Sequence, residues 1–115
     1  MIRPNFERNG GLIRAIAQDD DTKVVLMDAF MNEEAWLETL ATGFAVYFSR
    51  TSQKLWRKGQ QSGNVQYVRQ IRINCNEDSV LLLVKQVGDA ACHDGYRSCF
   101  YRRIAFKRNP QHGSS

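Results

Sequence analysis

One stretch of this 115-residue chain, from Asn32 to Gly43, carries a helical signature, and the stretches around it read as strands. Asn32 is a good N-cap, and Glu33 and Glu34 put acids where the helix dipole favours them. Trp36, Leu37, Leu40 and Ala41 then form an apolar stripe, with Trp36 most simply core, and Gly43 supplies the stop. Before the helix, Leu12 to Ala17 and Lys23 to Phe30 read as a hairpin whose turn, Gln18 to Thr22, carries three consecutive aspartates. After it, Phe44 to Arg50 alternates and is rich in aromatic and β-branched residues, so it reads as a strand. Thr51 to Gly63 reads as a long basic loop. Asn64 to Cys75 is a long strand with a phase change between Val65 and Val68, which suggests a bulge. Ser79 to Val87 is a buried strand, Gly88 to Ser98 a loop, and Cys99 to Ala105 a final strand. The expected fold is a mostly antiparallel α+β domain of about six strands and one main helix. Residues 1–10 are an N-terminal extension, 11–106 the single domain and 107–115 a polar, disordered tail.

Length allows one buried core and little more. The longest apolar run, Val80 to Val84, is too short to cross a membrane. The start, Met1 to Glu7, lacks the apolar core of a signal peptide, so a reducing cytoplasm is the expected setting. A net charge of +4 is spread over scattered lysines and arginines rather than one tract. That pattern suits phosphates on a small ligand better than a nucleic-acid backbone.

Three cysteines, Cys75, Cys92 and Cys99, stand out. An odd number cannot complete a disulfide set within one chain. Three thiolates with an open fourth position are what a water-activating zinc needs, whereas structural zinc normally takes four protein ligands. Three buried free thiols are the plainer alternative, since no Cys-x-x-Cys pair is present.

Taken in order, several segments resemble the phosphoribosyl-AMP cyclohydrolase family of histidine biosynthesis. They include Gly11-Leu12-Ile13, Ala15-Ile16-Ala17-Gln18-Asp19, Met31-Asn32-Glu33-Glu34-Ala35 and Tyr47-Phe48-Ser49-Arg50. Leu55-Trp56-Arg57-Lys58-Gly59, Ser62-Gly63, Ala91-Cys92-His93 and Arg97-Ser98-Cys99-Phe100-Tyr101-Arg102 complete the match, which runs from about Gly11 to Arg103. The resemblance implies zinc on Cys75, Cys92 and Cys99, with ligands drawn from two subunits of an intertwined homodimer. It implies hydroxide attack on C6 of an N1-substituted adenine, followed by cleavage of the N1–C6 bond, with zinc lowering the pKa of the water. His93, beside a ligand, then becomes a proton shuttle, against the alternative of a surface histidine. Trp56, Arg57, Lys58, Gly59, Ser62 and Gly63 become a substrate loop for a nucleotide with two phosphates, and Arg50 and Arg97 further phosphate contacts. Trp56 serves equally well as a packing anchor, and the two arginines as solvated surface charge.

The chain departs from the family's pattern where an Asp-Cys-Asp-x-Asp run is usual and is read as a magnesium site. Here it is Asn74-Cys75-Asn76-Glu77-Asp78, so two carboxylates are amides and Asp78 alone holds magnesium weakly. Gln60 replaces a common glutamate, Asp94 a threonine, and Arg14 a proline. Two enzymatic expectations follow: the family reaction with little or no magnesium dependence, or a paralogue acting on another nucleotide or nitrogen heterocycle. A third is a non-catalytic module, stapled by zinc, that binds nucleotide or RNA.

Overall fold

The computed structural model of the chain describes residues 2–88, 90–92 and 94–112. Its elements are β1 (Ile13–Asp19), β2 (Val25–Met31), α1 (Glu33–Thr42), β3 (Val46–Ser49), β4 (Lys54–Arg57), β5 (Gln66–Ile73) and β6 (Ser79–Gln86), with a short 3-10 turn at Pro110–His112. They form one six-stranded sheet in the order β4-β3-β2-β1-β6-β5. Every neighbouring pair is antiparallel except β1 with β6. The sheet curls until β5 reaches the residues leading into β3. Phe44 bridges Tyr67, the Ala45 N–H donates to the Gln66 carbonyl at 3.0 Å, and the Val68 N–H donates to the Gly43 carbonyl at 2.8 Å.

Alternation explains which side of each strand is buried. Ile13, Ala15 and Ala17 of β1, Val80, Leu82 and Val84 of β6, and Tyr47 of β3 face the inside with α1's Ala35 and Trp36. Ala15 and Ala17 are fully buried. Each larger aliphatic side chain buried there contributes roughly 1.5–3 kcal/mol. Phe6, ahead of the first strand, joins the same core.

The helix is capped as its sequence predicts. Asn32 Oδ1 accepts the Ala35 N–H at 2.8 Å, and Gly43, at φ 76°, donates its N–H to the Thr39 carbonyl. The apolar stripe differs from expectation. Trp36 is buried, but the remaining buried positions are Ala35 and Thr39, while Leu37 and Leu40 are 55% and 50% exposed. Thr39 decides the rotation, because its hydroxyl donates to the Ala35 carbonyl and accepts the Val46 N–H, pinning that face against β3.

Two further expectations are corrected. The stretch from Thr51 to Gly63 is not all loop, because Lys54–Arg57 folds back on β3 as β4, setting Leu55 opposite Phe48 and Trp56 opposite Tyr47. Residues 99–105 do not form a strand. After the Cys99 N–H donates to the Leu26 carbonyl at 2.7 Å the chain leaves the sheet. Ile104 and Phe106 are 86% and 78% exposed, strand-type residues with no strand to join among the described residues. The expected bulge does occur, with the β5–β6 register shifting between Val68 and Gln70. No helix is long and apolar enough to cross a membrane.

This topology gives the sheet two distinct ends. The end of β1, the start of β2, the end of β6 and the start of β5 meet at one; the turn between β5 and β6, residues 74–78, lies at the other.

Candidate metal and nucleotide site

The segment after β6 folds back on itself. Ala91 N–H donates to the Arg97 carbonyl, Cys92 N–H to the Tyr96 carbonyl and Gly95 N–H to the Cys92 carbonyl, at 3.1, 3.0 and 2.9 Å. Asp94 N–H reaches Cys92 Sγ at 3.4 Å. Three contacts then lay the segment across the β1–β2 turn. Arg97 donates to Asp19 Oδ2 at 2.8 Å, the Ser98 hydroxyl donates to the Val25 carbonyl at 2.7 Å, and Cys99 N–H binds the Leu26 carbonyl.

Cys92 and Cys99 are thereby brought within hydrogen-bond reach of each other. Burial pushes the Cys99 thiol up, and the neighbouring Cys92 pushes it further, while the Lys58 ammonium pulls the other way. Burial lowers Lys58 below its ordinary value, and the two cysteines oppose that shift. Lys58 is held in place by donating to the Ala91 carbonyl. Two thiols and one half-buried cation therefore form a compact cluster.

Asp19 anchors this end of the sheet. Its buried carboxylate accepts the Asp21 and Thr22 N–H groups at 2.9 Å each, besides Arg97. Burial alone would raise it, but those amides and the guanidinium hold it below the usual carboxylate value.

A buried polar relay braces the loops beside the thiols. Tyr47 OH donates to Gln66 Oε1 at 2.7 Å, and Gln66 Nε2 donates to Gln86 Oε1 at 3.0 Å. Gln86 Nε2 in turn reaches the carbonyls of Asn64, Val65 and Val87. Gln66 is fully buried, and every buried polar side-chain atom among the described residues has a partner. Burial drives the Tyr47 hydroxyl far above its ordinary value, so it acts as a neutral donor. Gly59 lets the chain close here: a Cβ would lie 2.2 Å from the Val65 nitrogen.

The expected substrate loop lines a cavity of about 400 Å³ formed by residues 56–62. Of its lining residues, Trp56 packs on Tyr47 with ring centroids 4.9 Å apart, and Arg57 lies over the Phe44 ring. Ser62 Oγ accepts the Asn64 N–H at 3.2 Å, and Gly63 N–H donates to the Gly59 carbonyl at 2.8 Å. A second cavity, about 610 Å³, borders Cys99, Arg102 and Arg103. Arg97 faces Asp19, and Arg50 lies over the Phe30 ring. His93 lies outside the described residues.

Cys75 stands apart, exposed in the turn at the opposite end of the sheet. Counting residue steps along the strands and two strand spacings across, it is roughly 15 Å from Cys92 and Cys99. Two sulfurs on one zinc lie only about 4 Å apart. Accordingly no group of three metal-ligating side chains assembles among the described residues of a single chain. The amides flanking Cys75 have local work. Asn74 Oδ1 accepts the Asp78 and Ser79 N–H groups at 3.0 Å, and its Nδ2 donates to the Asp78 carboxylate. At Asn76 it is the backbone carbonyl, not the side-chain amide, that accepts the Arg8 guanidinium.

Sequence reasoning missed Asp19, Gln66 and Gln86. Gln66 and Gln86 were signalled by falling on inward positions of otherwise apolar alternation, as Asp19 does at the end of β1.

Comparison with known proteins agrees with the motif order. The family model for phosphoribosyl-AMP cyclohydrolase matches residues 27–101. A phosphoribosyl-AMP cyclohydrolase of Desulforapulum autotrophicum is 56% identical over 110 residues, covering 96% of this chain and 88% of the relative. Those of Methanosarcina mazei and Bordetella parapertussis are each 57% identical, over 100 and 104 residues, covering 87% and 90% of this chain and 82% and 77% of the relatives. A match that spans most of the chain and reaches bacterial and archaeal relatives alike places this protein in the phosphoribosyl-AMP cyclohydrolase family.

Proposed function

We propose that the protein opens the adenine ring of N1-(5-phosphoribosyl)-AMP at the N1–C6 bond, in histidine biosynthesis, as a homodimer with zinc shared between subunits. Family membership makes it a hydrolase acting on a cyclic amidine. The observation that carries the finer reading is the division of the cysteines. One chain pairs Cys92 with Cys99 beside Lys58 and holds Cys75 at the far end of the sheet. A second copy, related by a two-fold axis, supplies a Cys75 to each pair and creates two equivalent sites. The donor set fits, because thiolates select zinc over hard cations.

When bound, zinc supplies the Lewis acidity that makes hydroxide available at neutral pH. This chain's own residues do the rest. Lys58 offsets the negative charge of the thiolates. The loop of residues 56–62 receives the nucleotide, with Arg57, Lys58 and the backbone of Gly59 and Gly63 facing its phosphates and Trp56 walling the base. His93 carries the proton released by the attacking water to N1 as the N1–C6 bond breaks. Magnesium is not required at residues 74–78, since Asn74 already satisfies that turn.

The test is complementation between inactive variants. Cys75→Ser and Cys92→Ser should each lose zinc and ring-opening activity. After their dimers are mixed and allowed to exchange, about a quarter of the sites regain an intact ligand set if ligands come from both subunits. Recovery of zinc and turnover near that level supports the reading. No recovery, with exchange verified, rules out the shared site. Zinc retention without turnover of this nucleotide by the wild type would leave a paralogue with another substrate.

A further inference from the structure

Arg14 on β1 and Arg50 in the turn after β3 approach one aromatic ring. Arg14 on β1 pairs with Phe30 on β2, and Phe30 pairs with Phe48 on β3, so the three share one cross-strand row. Arg50 follows Phe48 by two residues and returns to the same side. Their guanidinium carbons lie 4.4 and 4.1 Å from the Phe30 centroid. Arg14 is also paired with Asp28, the neighbouring residue on that face of β2, and its side chain is nearly half exposed.

A guanidinium stacked on a ring keeps its in-plane N–H donors at the edge, and the stacking removes freedom that binding would otherwise remove. Two guanidinia that share a phosphate hold their carbons roughly 7–8 Å apart, and two carbons this close to one centroid can lie no further from each other than the sum of those two distances. Cys99 N–H binds the Leu26 carbonyl, and Phe30 is four residues further along β2, about 13 Å away, while Arg14 pairs with Ser79 beside the Cys75 turn that the proposed dimer brings to the partner's Cys92 and the partner's Cys99.

We infer that Arg14 and Arg50, stacked on Phe30, form a phosphate-binding pair for the ribosyl phosphate carried on N1, with Asp28 positioning Arg14. This rests on the proposed function and deepens it by assigning a subsite. N1 is bonded to the reacting C6, so its ribosyl phosphate lies one sugar away from the reacting carbon. A guanidinium pair here supplies counter-charge from the protein itself in a chain whose 74–78 turn is short of carboxylates. A purely structural Arg14 would only staple β1 to β2, and an exposed ion pair of that kind adds little stability.

The experiment uses the zinc-loaded protein with Arg14→Gln and Arg14→Lys. Loss of one charge-assisted phosphate contact should raise KM for N1-(5-phosphoribosyl)-AMP roughly tenfold in Arg14→Gln, with most of the effect on KM rather than kcat. Arg14→Lys should recover part of it. Ribose 5-phosphate binding, measured by calorimetry, should weaken by a similar factor and lose part of its salt dependence. Unchanged KM and unchanged ribose 5-phosphate binding in Arg14→Gln would overturn the inference, whether or not its melting temperature falls. If the wild type fails to turn over the nucleotide but binds ribose 5-phosphate in an Arg14-dependent way, the phosphate pair stands and the proposed reaction falls.

Discussion

Replacing Asn74 with aspartate isolates what the amides around Cys75 accomplish. The Asn74 Oδ1 is bound by the N–H groups of Asp78 and Ser79, and an aspartate oxygen would accept both. Its Nδ2, however, donates to the Asp78 carboxylate, and aspartate has no donor to offer there. The substitution exchanges a hydrogen bond contributing about 1 kcal/mol for two like charges at contact, which cost about 1 kcal/mol even in a water-like dielectric. Asn74→Asp should therefore lose about 2 kcal/mol at neutral pH and low salt, lowering the melting temperature by roughly 6–10 °C for a chain of this size. Magnesium should reverse the loss, since paired carboxylates with retained water suit it. At 10 mM magnesium and a Kd of about 1 mM, the folded state regains about 1.4 kcal/mol. Thermal melts of wild type and variant, in magnesium chloride and in sodium chloride of matched ionic strength, make the measurement. An unshifted melting temperature at low salt would refute the like-charge argument. Recovery no greater in magnesium than in sodium would show that screening alone is at work.

Three other perturbations address the rest of the site. Asp19 titrates below its ordinary 3.8 in the folded chain, so its stabilising contribution is complete above that pH and disappears as pH falls through the lowered value. Asp19→Asn should cost about 2 kcal/mol at pH 7 by urea denaturation, with the gap from wild type narrowing below pH 3.8; a gap that does not depend on pH would contradict this. Gln66→Leu leaves Tyr47 OH and Gln86 Oε1 buried without partners and should lose about 2–3 kcal/mol. Limited proteolysis should then cut faster within residues 59–64, whereas unchanged cleavage there would deny the relay its bracing role. Lys58→Met keeps the length of the side chain but removes the charge beside Cys92 and Cys99, and should weaken zinc retention roughly tenfold in a chelator competition; equal retention would leave Lys58 with the nucleotide alone.

Local signals were legible in the sequence where one residue type has one local use. Asn32 and Gly43 marked both ends of α1 because a side-chain oxygen before a helix and a left-handed residue after it answer needs that no distant contact changes. The hairpin of β1 and β2 was legible for a similar reason, since Asp20 and Asp21 favour a turn, although Asp19 ends β1 as a buried strand residue. Leu37 and Leu40 were misread because apolar spacing reveals a stripe but not which flank of it the sheet covers. Thr39 settled that through two hydrogen bonds to groups it cannot identify from sequence. The segment from Cys99 to Ala105 misled differently. β-branched and aromatic residues measure fitness for a half-buried pleat, and no pleat is offered to them among the described residues.

The candidate site follows the same division between identity and placement. Donor chemistry is written in side chains, so Cys75, Cys92, Cys99 and Lys58 could all be singled out in advance. Placement depends on the direction of β6, which runs parallel to β1 and carries the chain from the Cys75 turn to the Cys92 loop across the full sheet. No spacing rule contains that direction, because sixteen residues between two cysteines can as easily close a loop as traverse a sheet. Once the strand is rigid the two ends cannot meet, and bending β6 to join them would break its ladders with both β1 and β5. The proposed three-sulfur site would therefore be completed between chains, and the rigidity that keeps these cysteines apart within one subunit would hold Cys75 in position for another.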